Sequence, residues 1–481
     1  MSQWPVFVRA GNGNFYEGLD YQYVNGTGIG PAGPVPVARD GRMGNRLVNT
    51  DWNNFAPRFG IAWSPNSKWS VRAGAGIFFS QETANSKFDI NRGSAGRLTD
   101  LPDPRGRIAL TYGNSYDPKL TPYPLNPGLT WAVQQDIATP YSLLYLFDVQ
   151  RQFGNSSTLE LVYQGAQHRK MQNQYNGDAG IPGISAAQTR VPFPTYSTGI
   201  EITGGYGRGN YNGLSAKLTQ RYKSGLTTLF SFTYSKALDN GSAIRGTTGD
   251  QYPENPYCVV ECEYGPSGFN TPLRLVASTQ YELPFGSGKM FLNHGGFVNA
   301  IVGGWQTSAI FTAQSGRVLN TVSWDAAGQV IQPNSNRLTS TGISPYATNP
   351  GPNGYFNPKA FVLPAPATCV GTVTPGCYAN SFGNIQRNSL IGPSTWDADI
   401  SLFKNFRVRE KATLQLRMEG FNMLNHVALG SPSAAWGNSN ANTNPSAQSP
   451  STTFGLIRDS TTAIGTAYTM RQIQVAAKIT F

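Results

Sequence analysis

Arg471-Gln472-Ile473-Gln474-Val475-Ala476-Ala477-Lys478-Ile479-Thr480-Phe481 closes the chain. Arg471, Ile473, Val475, Ala477, Ile479 and Phe481 share one face, while Gln472, Gln474, Lys478 and Thr480 share the other, with Ala476 alone blurring the alternation. Successive side chains on a strand point to opposite faces, so this run spells a strand with an apolar medium on one side and water on the other. A half-buried strand of a soluble sheet meets the same description. The decision rests on how often the pattern recurs and how the copies are spaced.

It recurs along most of the chain. Phe59, Ile61 and Trp63 alternate with Arg58, Gly60, Ala62 and Ser64; a turn at Pro65-Asn66-Ser67-Lys68 follows; then Val71, Ala73, Ala75, Ile77 and Phe79 oppose Ser70, Arg72, Gly74 and Gly76. Two alternating runs around a short connection read as a hairpin. A second joins Tyr145, Phe147 and Val149 to Leu159, Leu161 and Tyr163 through Asn155-Ser156, and a third joins Leu214, Ala216, Leu218 and Tyr222 to Thr228, Phe230, Phe232 and Tyr234 through Lys223-Ser224-Gly225. Further strands are expected at Leu275 to Tyr281, Trp305 to Ala313, Trp396 to Leu402 and Leu414 to Glu419. The alternating segments approach the nine to eleven residues, about 10, that a tilted strand needs to cross a bilayer.

The connections alternate in length. Those at 65–68, 154–157, 223–225 and 407–411 are short, whereas 81–106, 167–208, 236–272, 315–394 and 425–465 run for tens of residues rich in Gly, Pro, Asn and Ser. Short turns on one side and long loops on the other are the mark of an outer-membrane barrel, and compact soluble domains rarely sustain several long loops. Composition agrees: 54 Gly, 25 Phe, 23 Tyr and 9 Trp with 13% charge suit strands and turns better than helices. Hydrophobic residues make up 39%, and no stretch approaches the roughly 20 apolar residues of a membrane helix. The expected fold is all-β, a transmembrane antiparallel β-barrel with about 12–14 strands in this chain.

The formal charge of +11 raises nucleic acid as a partner. The cations are scattered one or two per strand, as at Lys217, Arg221, Arg274, Lys404 and Arg417, without the run or stripe that binds phosphates, so no nucleic-acid role is expected. Asp397, Asp399, Arg417 and Glu419 sit on polar strand faces, where charges from adjacent strands pack beside one another; they read as lumen structure rather than as an acid–base pair. Gly286-Ser287-Gly288-Lys289-Met290 lacks the earlier glycine and the Ser or Thr after lysine of a phosphate loop and reads as a turn after Leu283-Pro284-Phe285. No nucleophile elbow and no zinc helix occur, so the chain is not expected to be an enzyme and no cofactor is expected. Cys258 with Cys262 and Cys369 with Cys377 form two close pairs in loop-like stretches; disulfides in an oxidising compartment are the expectation, with free thiols or metal as alternatives that His168, His294 and His426 do little to support.

Several runs together resemble the barrel of Oar-like TonB-dependent receptors: Asn53-Asn54-Phe55-Ala56-Pro57-Arg58-Phe59-Gly60-Ile61-Ala62-Trp63, Tyr211-Asn212-Gly213-Leu214, Phe232-Thr233-Tyr234-Ser235-Lys236-Ala237-Leu238-Asp239-Asn240, Glu282-Leu283-Pro284-Phe285-Gly286 and Glu419-Gly420-Phe421-Asn422-Met423-Leu424-Asn425-His426. Val71 to Phe79, Tyr264-Gly265-Pro266-Ser267 and the terminal Phe481 fit the same order. The resemblance spans residues 50 to 481 and implies a bacterial outer-membrane receptor whose complete form carries a signal peptide, a plug contacting TonB and a barrel of about 22 strands. Met1-Ser2-Gln3-Trp4-Pro5 has neither a positive nor an apolar leader region, and residues 1–50 are too few for a plug. The expectation is therefore of an N-terminal loop-like segment over 1–50 and a C-terminal barrel portion over 51–481, with TonB reached only through a plug outside this chain. The same resemblance implies outer-membrane lipid as a partner and engagement of the barrel assembly machinery by the final strand, Arg471, Ile473, Val475, Ala477, Ile479 and Phe481. Ligand contact is expected in loops 236–272 and 315–394. A plugless structural or adhesive surface barrel, a non-functional fragment and a soluble carbohydrate-binding β-protein are the alternatives.

Overall fold

The alternating runs pair as neighbours in sequence. Arg58–Asn66 (β1) and Trp69–Phe79 (β2) form the first hairpin, with Phe59 opposite Ala75 and Ile61 opposite Ala73. Tyr141–Phe153 (β3) and Ser157–Asn176 (β4) form the second, and Ile200–Arg221 (β5) and Leu226–Asp239 (β6) the third. Leu273–Glu282 (β7), Trp305–Gln314 (β8), Thr395–Arg409 (β9), Ala412–Phe421 (β10) and Gln472–Thr480 (β11) complete the series. In this computed structural model each strand hydrogen-bonds antiparallel to the next, so β1 to β11 make one meander. The structure describes residues 50–80, 130–134, 136–177, 200–222, 225–243, 253–255, 258–320, 322–323, 336–362, 382–409, 412–436, 450–458 and 470–481, with two-residue strands at Tyr23–Val24 and Thr27–Gly28.

The sheet holds 13 strands, because Thr130–Val133 joins β5 in parallel and Gly265–Pro266 joins the end of β6. Among the described residues β1 and β11 are the two ends of the path and do not pair with each other. No described helix is long and apolar enough to cross a membrane.

Register sorts the side chains. Val71, Val149, Leu161, Ala216, Phe232, Leu275, Ala313 and Trp396 lie directly opposite one another in turn from β2 to β9, a continuous apolar row across eight strands. β11 extends this face, with Ile473 opposite Gly420, Val475 opposite Met418, Ala477 opposite Leu416 and Ile479 opposite Leu414. Large side chains stay exposed along it, among them Phe147, Phe230, Phe232 and Val475. The opposite face carries paired polar groups: Arg72 with Asp148 at 3.4 Å, Lys217 with Glu160 at 3.5 Å and Ser215 with Thr233 at 3.0 Å. Buried Asp148, Ser235 and Asp397 all belong to this second face, which makes it the more enclosed of the two. A sheet that leaves its apolar face uncovered and pairs its charges on the other side is built for lipid outside and water inside.

The connection between β4 and β5 differs from the expectation of a loop over 167–208. The two strands continue to Asn176 and from Ile200, 20 and 22 residues long, so 167–176 and 200–208 of that stretch are ladder. At about 3.3 Å per residue such strands exceed a tilted bilayer span roughly twofold. The projecting part lacks apolar alternation because neither of its faces meets lipid, and Lys170 with a positive φ of 56° interrupts its register. Residues 236–272 differ likewise: β6 continues to Asp239, and 258–270 folds back on it with Ser267 N donating to Ala237 O at 2.9 Å. On the short-turn side, the connection 283–304 includes a helix, Gly296–Val302 (α1).

Candidate functional site: a folded cap on the long connections

The long connections meet at one end of the sheet and fold against one another. Leu338, Phe356, Phe361, Leu390, Trp436 and Phe454 are buried together with Ala360. The Trp436 and Phe454 rings are 5.0 Å apart, Phe361 and Phe454 5.5 Å, and Phe356 and Phe454 5.7 Å. These residues come from the β8–β9 and β10–β11 connections, so the apolar core that the barrel strands lack lies in its loops. Aromatic packing of this kind gives a rigid body rather than independent loops.

Small β-ladders tie the cap: Val318–Leu319 with Leu390–Ile391, Thr339–Ser340 with Phe361–Val362, and Tyr346–Gly351 with Gly354–Phe356. Close backbone approaches need glycine at two places. A Cβ on Gly316 would lie 1.9 Å from Gly392 O, and one on Gly383 would lie 2.0 Å from Arg337 O.

Charges join the cap to the strands. Arg337 lies between two buried carboxylates, with Nη1 2.6 Å from Glu263 Oε2 and Nη2 3.0 Å from Glu254 Oε2. Glu254 Oε1 accepts from Arg337 N at 2.9 Å and from Gly383 N at 3.3 Å. Burial pushes the Glu254 carboxyl up to about 7, against the lowering pull of the Arg337 charge and the two backbone N–H groups. Arg387 donates to Glu263 O at 3.0 Å and to Asp239 O at 2.8 Å and pairs with the Asp239 carboxylate at the end of β6. Asn240 follows and donates to Tyr206 O at 3.0 Å and Val259 O at 2.9 Å, while its own Oδ1 accepts from Arg208 N at 2.7 Å. Thus 253–255, 258–270, 336–340 and 382–391 are locked onto the projecting ends of β5 and β6.

Of the four cysteines, Cys258 and Cys262 are bonded to each other within this lock, four residues apart. Cys369 and Cys377 lie outside the described residues, as does most of 1–50. The expected ligand-bearing loops 236–272 and 315–394 are therefore brought together by Glu254, Glu263, Arg337, Asp239 and Arg387, none of which stood out in the sequence. Only the density of acids around Cys262, with Glu261 and Glu263, hinted at a charged contact.

The charged residues of the strand faces are placed as lattice. Asp399 Oδ1 accepts from Asn422 N at 2.9 Å, Arg417 lies over the Phe403 ring at 5.6 Å, and Glu419 accepts from Gln474 at 3.4 Å. His426 Nδ1 lies 2.9 Å from Trp396 O and its ring stacks on that indole at 4.0 Å. In the Gly286-Ser287-Gly288-Lys289 turn, Ser287 N and Gly288 N donate to Asn299 and Asn293 side chains, both at 2.7 Å, and Lys289 pairs with Glu282 at 2.8 Å. Among the described residues no group of three or more His, Cys, Asp or Glu side chains is placed to hold a metal ion.

Among solved structures, the outer membrane transporter YddB from Escherichia coli is similar at 13% identity and a TM-score of 0.43, covering 89% of this chain and 40% of that one. The FrpB iron transporter from Neisseria meningitidis (F3-3 variant) is similar at 10% identity and a TM-score of 0.38, covering 88% and 39%. The siderophore receptor PiuA from Acinetobacter baumannii is similar at 11% identity and a TM-score of 0.37, covering 88% and 35%. The chain thus spans about two fifths of the length of these structures or less. No curated protein sequence matches it. The profile of the outer membrane beta barrel domain matches residues 3–474, nearly the whole chain. The uncovered apolar face, the paired polar face and the one-sided long connections are what that family requires, and the chain belongs to the outer membrane β-barrel domain family, with its place in the bacterial outer membrane.

Proposed function

We propose that this chain is the barrel portion of a TonB-dependent, Oar-like outer-membrane receptor whose complete form moves a substrate across the outer membrane. The observation that carries the reading is the cap. An ordinary structural barrel needs only loops long enough to turn the chain. Here several connections share an aromatic core and are ion-paired to the strands, giving a preorganised surface at the end expected to face the exterior. Capture would occur on that surface, and the substrate would then pass along the polar face once a plug had been displaced by a pull from the TonB complex. The order of the resembling runs from Asn53 to Phe481 supports this reading.

The test is the DNA upstream of the first codon, read in all frames. A signal peptide, a plug and about eight to ten further amphipathic strands are expected there. Their absence would sink energised transport and leave an adhesive surface barrel, the reading that the same rigid cap supports when nothing is moved.

A further inference from the structure

We propose that residues 284–303, the one long connection on the short-turn side, form a membrane-interface anchor that lies in the phospholipid leaflet at that end of the barrel. The inference rests on the outer-membrane placement of the sheet and concerns a segment that the transport reading does not use.

The segment is built inside out by the standards of water. Its polar groups bond to one another at the surface: the Asn299 side chain accepts from Ser287 N at 2.7 Å, Asn293 accepts from Gly288 N at 2.7 Å, Gly286 N donates to Phe291 O at 3.0 Å and Phe291 N to Pro284 O at 2.9 Å. Its large side chains turn outward: Met290 is 81% exposed, Phe297 80% and Ile301 55%, and no residue of α1 is buried. Residues 290–303 contain no Asp, Glu, Lys or Arg. A backbone that satisfies its own hydrogen bonds while presenting uncharged apolar side chains to the surroundings is stable in the boundary between headgroups and acyl chains and costly in water.

Its position makes the occupant specific. Lys404 belongs to the apolar face of β9, opposite Trp305 and Leu416, yet it is only 5% exposed. It is covered because its ammonium donates to Ile301 O at 3.1 Å and to Gly303 O, while Trp305 Nε1 donates to Ile301 O at 2.8 Å. The end of α1 is thereby stitched to the lipid-facing side of the sheet, not to the lumen side. Phe297 and Ile301, four residues apart on α1, continue the lipid-facing band at the end where its strands leave the bilayer. Trp305, with the Lys404 ammonium 5.2 Å from its ring centroid, takes the place of an interfacial aromatic.

The full chain in vesicles of phosphatidylethanolamine and phosphatidylglycerol tests this with two probes read by peptide mass spectrometry: a photoactivated carbene carried on a lipid acyl chain, and hydroxyl radicals made in the water. Phe230 and Ile400 serve as band references and Met470, 64% exposed before β11, as a water reference. The lipid carbene should label Phe297 and Ile301 within about twofold of Phe230, and Met290 should escape oxidation that Met470 suffers. Oxidation of Met290 at the Met470 level would overturn the proposal. So would protection from both probes, which would mean a second copy or another protein covers the patch. Absence of lipid label on Phe230 and Ile400 would overturn the membrane-spanning sheet itself, and the anchor with it.

Discussion

Arg337 holds its guanidinium 2.6 Å from the Glu263 carboxylate, and both side chains are at least nine-tenths removed from solvent. Glu254 completes the group from the other side of the same guanidinium at 3.0 Å. One cation faces two carboxylates, and burial raises the Glu254 carboxyl against the pull of that cation. Replacing Arg337 by Met would leave two buried acids facing each other and should cost the cap about 3–5 kcal/mol. Protease resistance of the cap in inserted protein would report the loss.

The raised Glu254 carboxyl also sets a pH dependence. Its ordinary value is 4.5 and burial takes it to about 7, so the folded cap binds the proton more tightly than the opened one. The stabilisation is complete below about pH 4.5 and is lost as pH rises through about 7, on the order of 3 kcal/mol in total. Hydrogen exchange of 253–263 and 336–340, corrected for intrinsic rate, should show opening that increases from pH 5 to pH 8. Glu254→Gln should make it flat across that range.

The Cys258–Cys262 bond closes a small ring, for which loop-closure entropy gives about 2 kcal/mol. Cys258→Ser should loosen 253–264, because Val259 O is the acceptor of Asn240 at 2.9 Å, and should leave the urea midpoint of the strand meander unchanged. Proteolysis of the segment against whole-barrel unfolding separates the two.

Backbone crowding predicts a contrast between glycines of one cap. Gly383→Ala would place a methyl 2.0 Å from Arg337 O and should cost about 1–3 kcal/mol. Gly351→Ala meets no atom within 4 Å and should be neutral. Cap protease resistance in the two variants reads the difference.

Neighbouring positions on β7 should respond in opposite ways to the same charge. Ala277 lies between Phe230 and Phe311 on the apolar face, so Ala277→Lys should cost about 2–4 kcal/mol in a bilayer. Ser278 lies on the polar face, and Ser278→Lys should change the unfolding free energy by no more than about 0.5 kcal/mol. Urea unfolding from lipid vesicles measures both.

The strands were legible because each must satisfy lipid on one side and water on the other, and that requirement writes period-two alternation into runs such as Arg58 to Ser64 and Arg471 to Phe481. Where lipid ends, the signal ends. Met171 to Asn176 and Gly204 to Gly209 remain ladder, yet they read as loop because no apolar face is imposed on them. The cap was illegible for another reason. Phe361 and Trp436 meet across 75 residues of sequence, and Glu254 meets Arg337 across 83, with no local periodicity to announce either contact. The segment 283–304 hid its helix behind glycines at 286, 288, 295 and 296, which read as turn.

A sheet that spans the outer membrane with its long connections outside leaves the cap open to the exterior and the short turns hidden from it. An epitope inserted after Gly154, in the short β3–β4 turn, and another after Pro352, in the cap hairpin between Gly351 and Gly354, test it in intact cells with an antibody that cannot cross the outer membrane. Binding is expected to the cap epitope on intact cells and to the turn epitope only after the outer membrane is permeabilised. Binding to both on intact cells, to neither, or to the turn alone would contradict it.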